Sequence, residues 1–155
     1  MPWSFDPKRV SFFLRIGFLL FILAFLFTFG YRIFVIQGSS MSPTYDSGDI
    51  TFTNLRSYDF ALPQRFDKVI LRDRSDGEIL AKRIIGLPEE EIEIKKGKIS
   101  INGNELKDKY YIYSPVLDIK KMLIPKNYYF YIGDNRKNSM WGLVRVDEII
   151  GKVLR

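Results

Sequence analysis

The stretch VSFFLRIGFLLFILAFLFTFGY, residues 10–31, divides this chain into two unlike parts. Arg15 is its one charged residue, and a helix of about 20 apolar residues is enough to cross the hydrocarbon core of a bilayer. Arg15 lies near one end, where its long side chain can reach the lipid headgroups. A cleaved signal peptide is the alternative, but residues 27–31 fit the small-x-small cleavage pattern poorly. We therefore expect an uncleaved anchor in contact with the lipid bilayer.

The basic residues around the apolar stretch predict its orientation. Lys8 and Arg9 precede it, whereas Arg32 alone follows it closely. Because cytoplasmic flanks carry the excess of Lys and Arg, the N-terminus is expected inside the cell and the remainder outside. The predicted segments are a cytoplasmic N-terminus at 1–9, a single-pass transmembrane anchor in the cell inner (plasma) membrane at 10–31, and an extracytoplasmic domain on the outer face at 32–155.

The composition excludes several kinds of chemistry. The 155-residue chain has no cysteine and no histidine, which rules out disulfides, thiolate nucleophiles, a Ser–His–Asp triad and a zinc site built from Cys or His. A general base must therefore be Asp, Glu, Lys, Tyr or water. The net charge is +6, but the Lys and Arg residues are scattered among acidic ones. Without a clustered basic face we expect no nucleic-acid partner, and we also expect no metal and no other cofactor.

Beyond the apolar stretch the sequence takes on the pattern of β-strands. Short runs of β-branched and aromatic residues alternate with turn signals, among which Lys96-Gly97 and Asn102-Gly103 are typical of tight hairpins. The predicted strands cover 33–36, 50–53, 68–71, 92–94, 99–101, 128–132 and 144–154. The sequence therefore predicts a mainly β fold, with one N-terminal transmembrane helix followed by a compact antiparallel β domain.

Two polar segments could supply a nucleophile and a base. Residues 38–44 form a small-residue turn after a strand, which can expose the hydroxyl of Ser40 and converge backbone N–H groups on one point. An ordinary Ser/Pro turn is the alternative. If residues 79–88 begin as a strand, Lys82 lies on one face between Leu80 and Ile84, and desolvation lowers the pKa of its amine. Such a lysine can act as a general base, although a solvated lysine on an edge strand would give the same pattern.

A third segment, residues 131–142, combines a Gly-Asp-Asn turn with several hydrogen-bonding side chains. Together, the three segments behind one anchor resemble the type I (leader) signal peptidase family, whose members are membrane-bound Ser–Lys serine proteases. The matching motifs are Ser-Met-x-Pro-Thr at 40–44, Gly-Asp at 48–49, Lys-Arg-hydrophobic-hydrophobic-Gly-Leu-Pro at 82–88 and Gly-Asp-Asn-Arg-x-x-Ser at 133–139. The resemblance extends from about residue 8 to the C-terminus, and it rests on the order of the motifs.

The resemblance implies a role for each matching residue. Ser40 would be the nucleophile, Lys82 the general base and Ser139 an accessory hydroxyl that orients the lysine. Gly38 stands where many members have a serine that donates to the oxyanion, so that the backbone N–H of Ser40 would have to serve instead. The residues expected near the substrate pockets are Ile36, Met41 and Ala81.

The implied activity is removal of signal peptides from exported preproteins by an extracytoplasmic β catalytic domain. The last motif departs from the family because Met140 follows Ser139 directly, without the usual Asp-Ser-Arg. Arg83 is therefore expected to lose its usual acidic partner, unless Asp134 replaces it. Two alternatives remain at this point: a maturation peptidase with one dedicated substrate, and a non-catalytic, membrane-tethered domain that binds peptides.

Overall fold

A computed structural model describes residues 7–74, 76–108 and 117–154. Most of the predicted cytoplasmic segment, residues 1–6, lies outside these ranges. The helix α1 runs from Pro7 to Thr28, and it is long and apolar enough to cross a membrane. None of its residues is buried against the rest of the chain. Both ends of α1 lie three residues earlier than the corresponding ends of the predicted anchor, residues 10–31. Tyr31 therefore already belongs to the first strand.

The described residues after α1 form β-strands and one short 3₁₀ helix, Val146–Glu148. The strands are β1 Tyr31–Val35, β2 Ile50–Asn54, β3 Lys68–Arg72, β4 Ile79–Gly86, β5 Glu91–Lys95, β6 Lys98–Ile101, β7 Asn104–Glu105, β8 Ile119–Leu123, β9 Tyr128–Ile132, β10 Trp141–Arg145 and β11 Ile149–Val153. They make a seven-stranded sheet, ordered β1-β2-β11-β3-β4-β9-β10, and a four-stranded sheet, ordered β7-β6-β5-β8. The pairings are antiparallel, which confirms the predicted fold class.

The hairpin prediction is confirmed in detail. Strands β5 and β6 pair in register around Lys96 and Gly97, whose φ angles are 47° and 76°. Positive φ at both central residues matches the right-handed twist of the flanking strands. The prediction of one closing strand over 144–154 is wrong, because the 3₁₀ turn at Val146–Glu148 separates β10 from β11. There the backbone N–H of Arg145 donates to the Glu148 carboxylate and the chain turns away from β10.

Strands β4 and β9 lie between two apolar clusters, because alternate side chains on a strand point to opposite faces. Ile85 and Ile132 pack with the isoleucines of the four-stranded sheet. Ile84 and Tyr131 pack on the other face against residues of β3, β10 and β11. A third cluster packs Met41 against residues of β1, β3, β4 and β11. These clusters hold β4 in place from both sides.

The two halves of β4 have different neighbours. Its first half pairs with β3 through Ile79, Leu80 and Ala81. Its second half, from Arg83 to Gly86, also pairs with β9 on the opposite edge. In the described part of the chain, the β9-side edge of residues 79–82 therefore has no strand partner. The outer edge of β1 is likewise without one.

Candidate active site

Ser40 lies in the turn that follows β1. The N–H of Ile36 donates to the Asp49 carbonyl at 2.8 Å, and the N–H of Gly48 donates to the Ile36 carbonyl at 2.9 Å, which fixes both ends of the turn. Gly38 has a φ of 77°, a conformation that L side chains rarely adopt. In the described residues the N–H of Ser40 has no hydrogen-bond acceptor. It is therefore available to a ligand at the serine.

The structure brings Ser40 together with Lys82, 42 positions further along the chain. The ammonium nitrogen Nζ of Lys82 lies 2.7 Å from the hydroxyl Oγ of Ser40. Lys82 is 3% exposed, and this burial lowers its pKa to about 8, although the carboxylate of Asp73 acts in the opposite direction. A lysine in this state can release and accept a proton near neutral pH.

The loop from Gly133 to Ser139 supports the serine from the other side. The backbone N–H of Asn135 donates to the Ser40 carbonyl at 3.0 Å. The side-chain amide of Asn135 donates to the Ser39 carbonyl, and that of Asn138 donates to the Ser39 hydroxyl. Sequence reasoning did not assign these asparagines a role, although the turn signal placed them in a candidate segment.

Ser139 ends this loop, and the described hydrogen bonds of its hydroxyl are to loop backbone and not to Lys82. Its hydroxyl accepts from the Gly133 N–H at 2.7 Å and lies 2.9 Å from the Met140 carbonyl, to which it donates. Gly133 is packed so closely that an added Cβ would overlap both the Ser40 carbonyl oxygen and the Ser139 hydroxyl. Gly133 thus joins Ser139 to the backbone of Ser40.

Arg83 keeps an acidic partner despite the missing Asp-Ser-Arg. Its Nε and Nη2 atoms donate to the two carboxylate oxygens of Asp134 at 2.8 and 2.7 Å. Both side chains are buried, and Thr44 donates a further hydrogen bond to Asp134. Asp134 therefore replaces the missing acidic partner of Arg83, which is the alternative that the sequence left open. A bidentate pair of this kind joins β4, the serine turn and the Gly133 loop.

A second buried ion pair was not predicted. The guanidinium of Arg136 pairs with Asp108, and its Nε donates to the Gly133 carbonyl at 2.9 Å. Asp108 follows β7 and thus links the small sheet to the loop under Ser40. The sequence indicated Arg136 through its place in the last motif. It did not indicate Asp108, because the two partners lie 28 residues apart.

A cleft of about 410 Å³ opens next to Ser40. It lies between the unpaired edges of β1 and β4, with Ile70 at its floor. Of the residues expected near substrate pockets, Ile36 and Ala81 line it, and both belong to the third apolar cluster. Met41 is 1% exposed and packs in the same cluster behind the lining. Within the described ranges, no group of three or more carboxylates is arranged to hold a metal ion.

The comparisons with known proteins agree with this geometry. Residues 9–155 match the signal peptidase family, peptidase S26. Signal peptidase I P of Bacillus subtilis subsp. natto is 34% identical over 84% of this chain and 78% of its own length. Signal peptidase I of Bacillus caldolyticus is 31% identical, over 85% of this chain and 82% of its own. The crystal structure of a signal peptidase I from Enterococcus faecalis V583 superposes with a TM-score of 0.50 at 29% identity, covering 61% of this chain and 98% of that one.

The chain therefore belongs to the signal peptidase family, a family of membrane-bound proteases. Its function is that of a signal peptidase I, since relatives with this name match most of its length.

Proposed function

We propose that this chain removes signal peptides from exported preproteins by means of a catalytic dyad of Ser40 and Lys82. The observation that carries the proposal is the 2.7 Å contact between the Ser40 hydroxyl and the Lys82 amine. A nucleophile and a base within hydrogen-bond reach are what acyl transfer by serine requires. A non-catalytic peptide-binding domain has no need of a buried lysine at this distance from a serine.

The proposed reaction begins when neutral Lys82 takes the proton of Ser40 as the serine oxygen attacks the scissile carbonyl carbon. The N–H of Ser40 then donates to the oxyanion of the tetrahedral intermediate. Lys82 passes the proton to the leaving amine, and the peptide bond breaks to give an acyl-enzyme. A water molecule, deprotonated by the same lysine, attacks the ester and releases the second product and the serine.

Ser139 acts as a positioning residue in this scheme. Its hydroxyl holds the Gly133 N–H, and Gly133 packs against the Ser40 carbonyl. Ser139 thereby fixes the serine backbone whose N–H must point at the oxyanion. It lies on the same loop as Asp134. The carboxylate of Asp134 pairs with Arg83, the residue next to Lys82.

The substrate is proposed to bind as an extended peptide in the cleft between β1 and β4. Each strand offers an edge without a partner, and a peptide can pair with such an edge through its backbone. Ile36 and Ala81 line the space near Ser40, and Met41 packs behind them. Small apolar side chains of the leader would contact Ile36 and Ala81 in this part of the cleft.

The proposed membrane location places the N-terminus in the cytoplasm and the β domain on the outer face. The basic residues before α1 support this orientation. An apolar face made by two cross-strand pairs on β1 and β2 supports contact with lipid: Ile33 with Phe52, and Val35 with Ile50. Each of these four side chains is at least 50% exposed, and β1 begins three residues after α1 ends.

Catalysis can be tested with the full-length protein in detergent and a purified preprotein, with the cut mapped by mass spectrometry. We expect cleavage after a small-x-small sequence that is lost in Ser40→Ala and in Lys82→Ala. Ser100→Ala, on the small sheet, is the matched serine control and Lys121→Ala, at an exposed site, is the lysine control, and both should cut. Cleavage that survives in either dyad variant would refute the mechanism. Cleavage of one precursor out of a broad panel would favour the dedicated maturation peptidase.

Orientation can be tested separately, because the chain has no cysteine. Leu123→Cys places a thiol on an exposed site of the β domain. A membrane-impermeant maleimide should label this variant in intact spheroplasts. A matched variant with the cysteine at Lys8 should be labelled only after the membrane is broken, and the reverse pattern would overturn the orientation.

A further inference from the structure

The cleft carries one charged residue, and it lies at the end remote from the nucleophile. Of the side chains that line the cleft, Glu78 alone is charged at neutral pH. It directly precedes β4, four residues before Lys82. The remaining lining is apolar except for Gln37 and Ser40. A carboxylate therefore marks one end of a groove whose other end holds the reacting hydroxyl.

The carboxylate of Glu78 has no ion-pair partner among the described residues. Its backbone is held by the turn, since its N–H donates to Asp76 and its carbonyl accepts from Asp73. Of the two nearby cations, Arg72 donates to the carbonyl of the neighbouring Gly77 and not to the Glu78 carboxylate, and Arg74 pairs with Glu148. Glu78 thus presents an exposed negative charge to the cleft.

Strand geometry gives the substrate position that meets this charge. Lys82 contacts Ser40, so the scissile carbonyl lies at the Lys82 end of the β4 edge. A strand rises about 3.3 Å per residue, which puts Glu78 roughly 13 Å further along the edge. A peptide paired with the same edge advances at the same pitch. Its fourth or fifth residue before the scissile bond therefore lies beside Glu78.

We propose that Glu78 is a specificity-determining residue that favours a basic side chain, and disfavours an acidic one, at the fourth or fifth position before the scissile bond. This inference rests on the proposed function, because it takes the leader side of the substrate to occupy the cleft. Ion pairs at exposed sites are worth little individually. We therefore expect a preference of about two- to fivefold for Lys over Gln, and about tenfold for Lys over Glu, at low salt.

The test uses full-length protein in detergent and matched peptides that differ only by Lys, Gln or Glu at one of these positions. Peptide pairs compete in one tube, so that mass spectrometry gives the ratio of their kcat/KM values independently of total activity. Wild type is compared with Glu78→Gln and Glu78→Lys. Glu105→Gln, at an exposed site on the small sheet, is the matched control.

We expect the Lys-over-Glu ratio to approach one in Glu78→Gln, to invert in Glu78→Lys and to stay unchanged in Glu105→Gln. In wild type the ratio should also fall toward one at 1 M salt, where charges are screened beyond about 3 Å. Cleavage by wild type without a charge preference, or with a preference that persists in Glu78→Gln or at high salt, would overturn this inference alone. Failure of wild type to cut even the Gln peptide would overturn the proposed function, and the inference with it.

Discussion

Alanine at Gly133 tests how tightly the active-site serine is held. An added Cβ would overlap the carbonyl oxygen of Ser40, which must retreat by about 1 Å to reach the 3.4 Å at which ordinary contacts begin. The Ser139 hydroxyl blocks the other side, so the Cβ has no free direction. Displacement of a reacting group by ~1 Å can cost about a hundredfold in rate, or roughly 2.7 kcal/mol of transition-state stabilisation.

The assay is kcat and KM for a signal-peptide substrate, together with a thermal melt. For Gly133→Ala we expect kcat to fall about a hundredfold while KM changes little, because Gly133 is not among the residues that line the cleft. Gly151→Ala is the matched control: its Cβ also meets a backbone carbonyl, 2.6 Å away, but that carbonyl belongs to Asn54 on β2 and not to Ser40. Both variants should melt at lower temperature, since overpacking costs about 1–3 kcal/mol.

The decisive comparison is between the kcat values of Gly133→Ala and Gly151→Ala. Gly151→Ala should lose stability and keep its kcat once assayed below its melting temperature. If Gly133→Ala kept kcat within threefold of wild type, the packing of Gly133 would not be what positions Ser40. Equal losses of kcat in both variants would point to general loosening of the sheet instead.

Three further predictions concern charge. In the proposed mechanism neutral Lys82 is the active form. Because the pKa of Lys82 is lowered to about 8, kcat/KM should then fall about tenfold per pH unit below pH 8 in a pH–rate profile, and a flat profile down to pH 6 would contradict this. Asp73→Asn removes a carboxylate that raises the pKa of Lys82, so the acid limb of that profile should move to lower pH, not higher. Asp134→Asn leaves the guanidinium of Arg83 buried without its carboxylate, which should cost roughly 3–5 kcal/mol in a denaturant melt. The matched control for Asp134→Asn is Glu105→Gln, which removes one partner of an exposed pair and should cost under ~1 kcal/mol in the same melt.

Sequence patterns predicted much of the sheet because side-chain alternation and turn conformation depend on residues that are close together in the chain. Alternation in 92–94 and 99–101, with positive-φ residues between, describes a hairpin completely. Strand β8, Ile119–Leu123, was missed because two lysines in the middle of an edge strand obscure the alternation. The closing strand was predicted too long because nothing in its apolar content shows the turn at Val146–Glu148.

The site was predicted in its parts and not in its connections. Motif order indicated Ser40 and Lys82, but their distance depends on pairing between strands far apart in the sequence. The pair of Arg83 with Asp134 spans 51 residues, and that of Arg136 with Asp108 spans 28. Neither follows from spacing, because both exist only once the Gly133 loop is folded against β4.

The unpaired edges of β1 and β4 have a consequence for how the fold is completed. Strands β1, β2, β11, β3 and β4 follow one another around an incomplete ring, and the cleft is the gap between its first and last members. A peptide that pairs with both edges, as proposed above, would fill this gap as an additional strand, and the ring would be closed only while that peptide is bound. The enzyme–substrate complex would then contain one strand more than the free enzyme. Release of the product would require the pairing of that strand with β1 and β4 to break. The edge amides of Tyr31–Val35 would be the reporters of that cycle, exchanging with solvent when the gap is empty and shielded when it is filled.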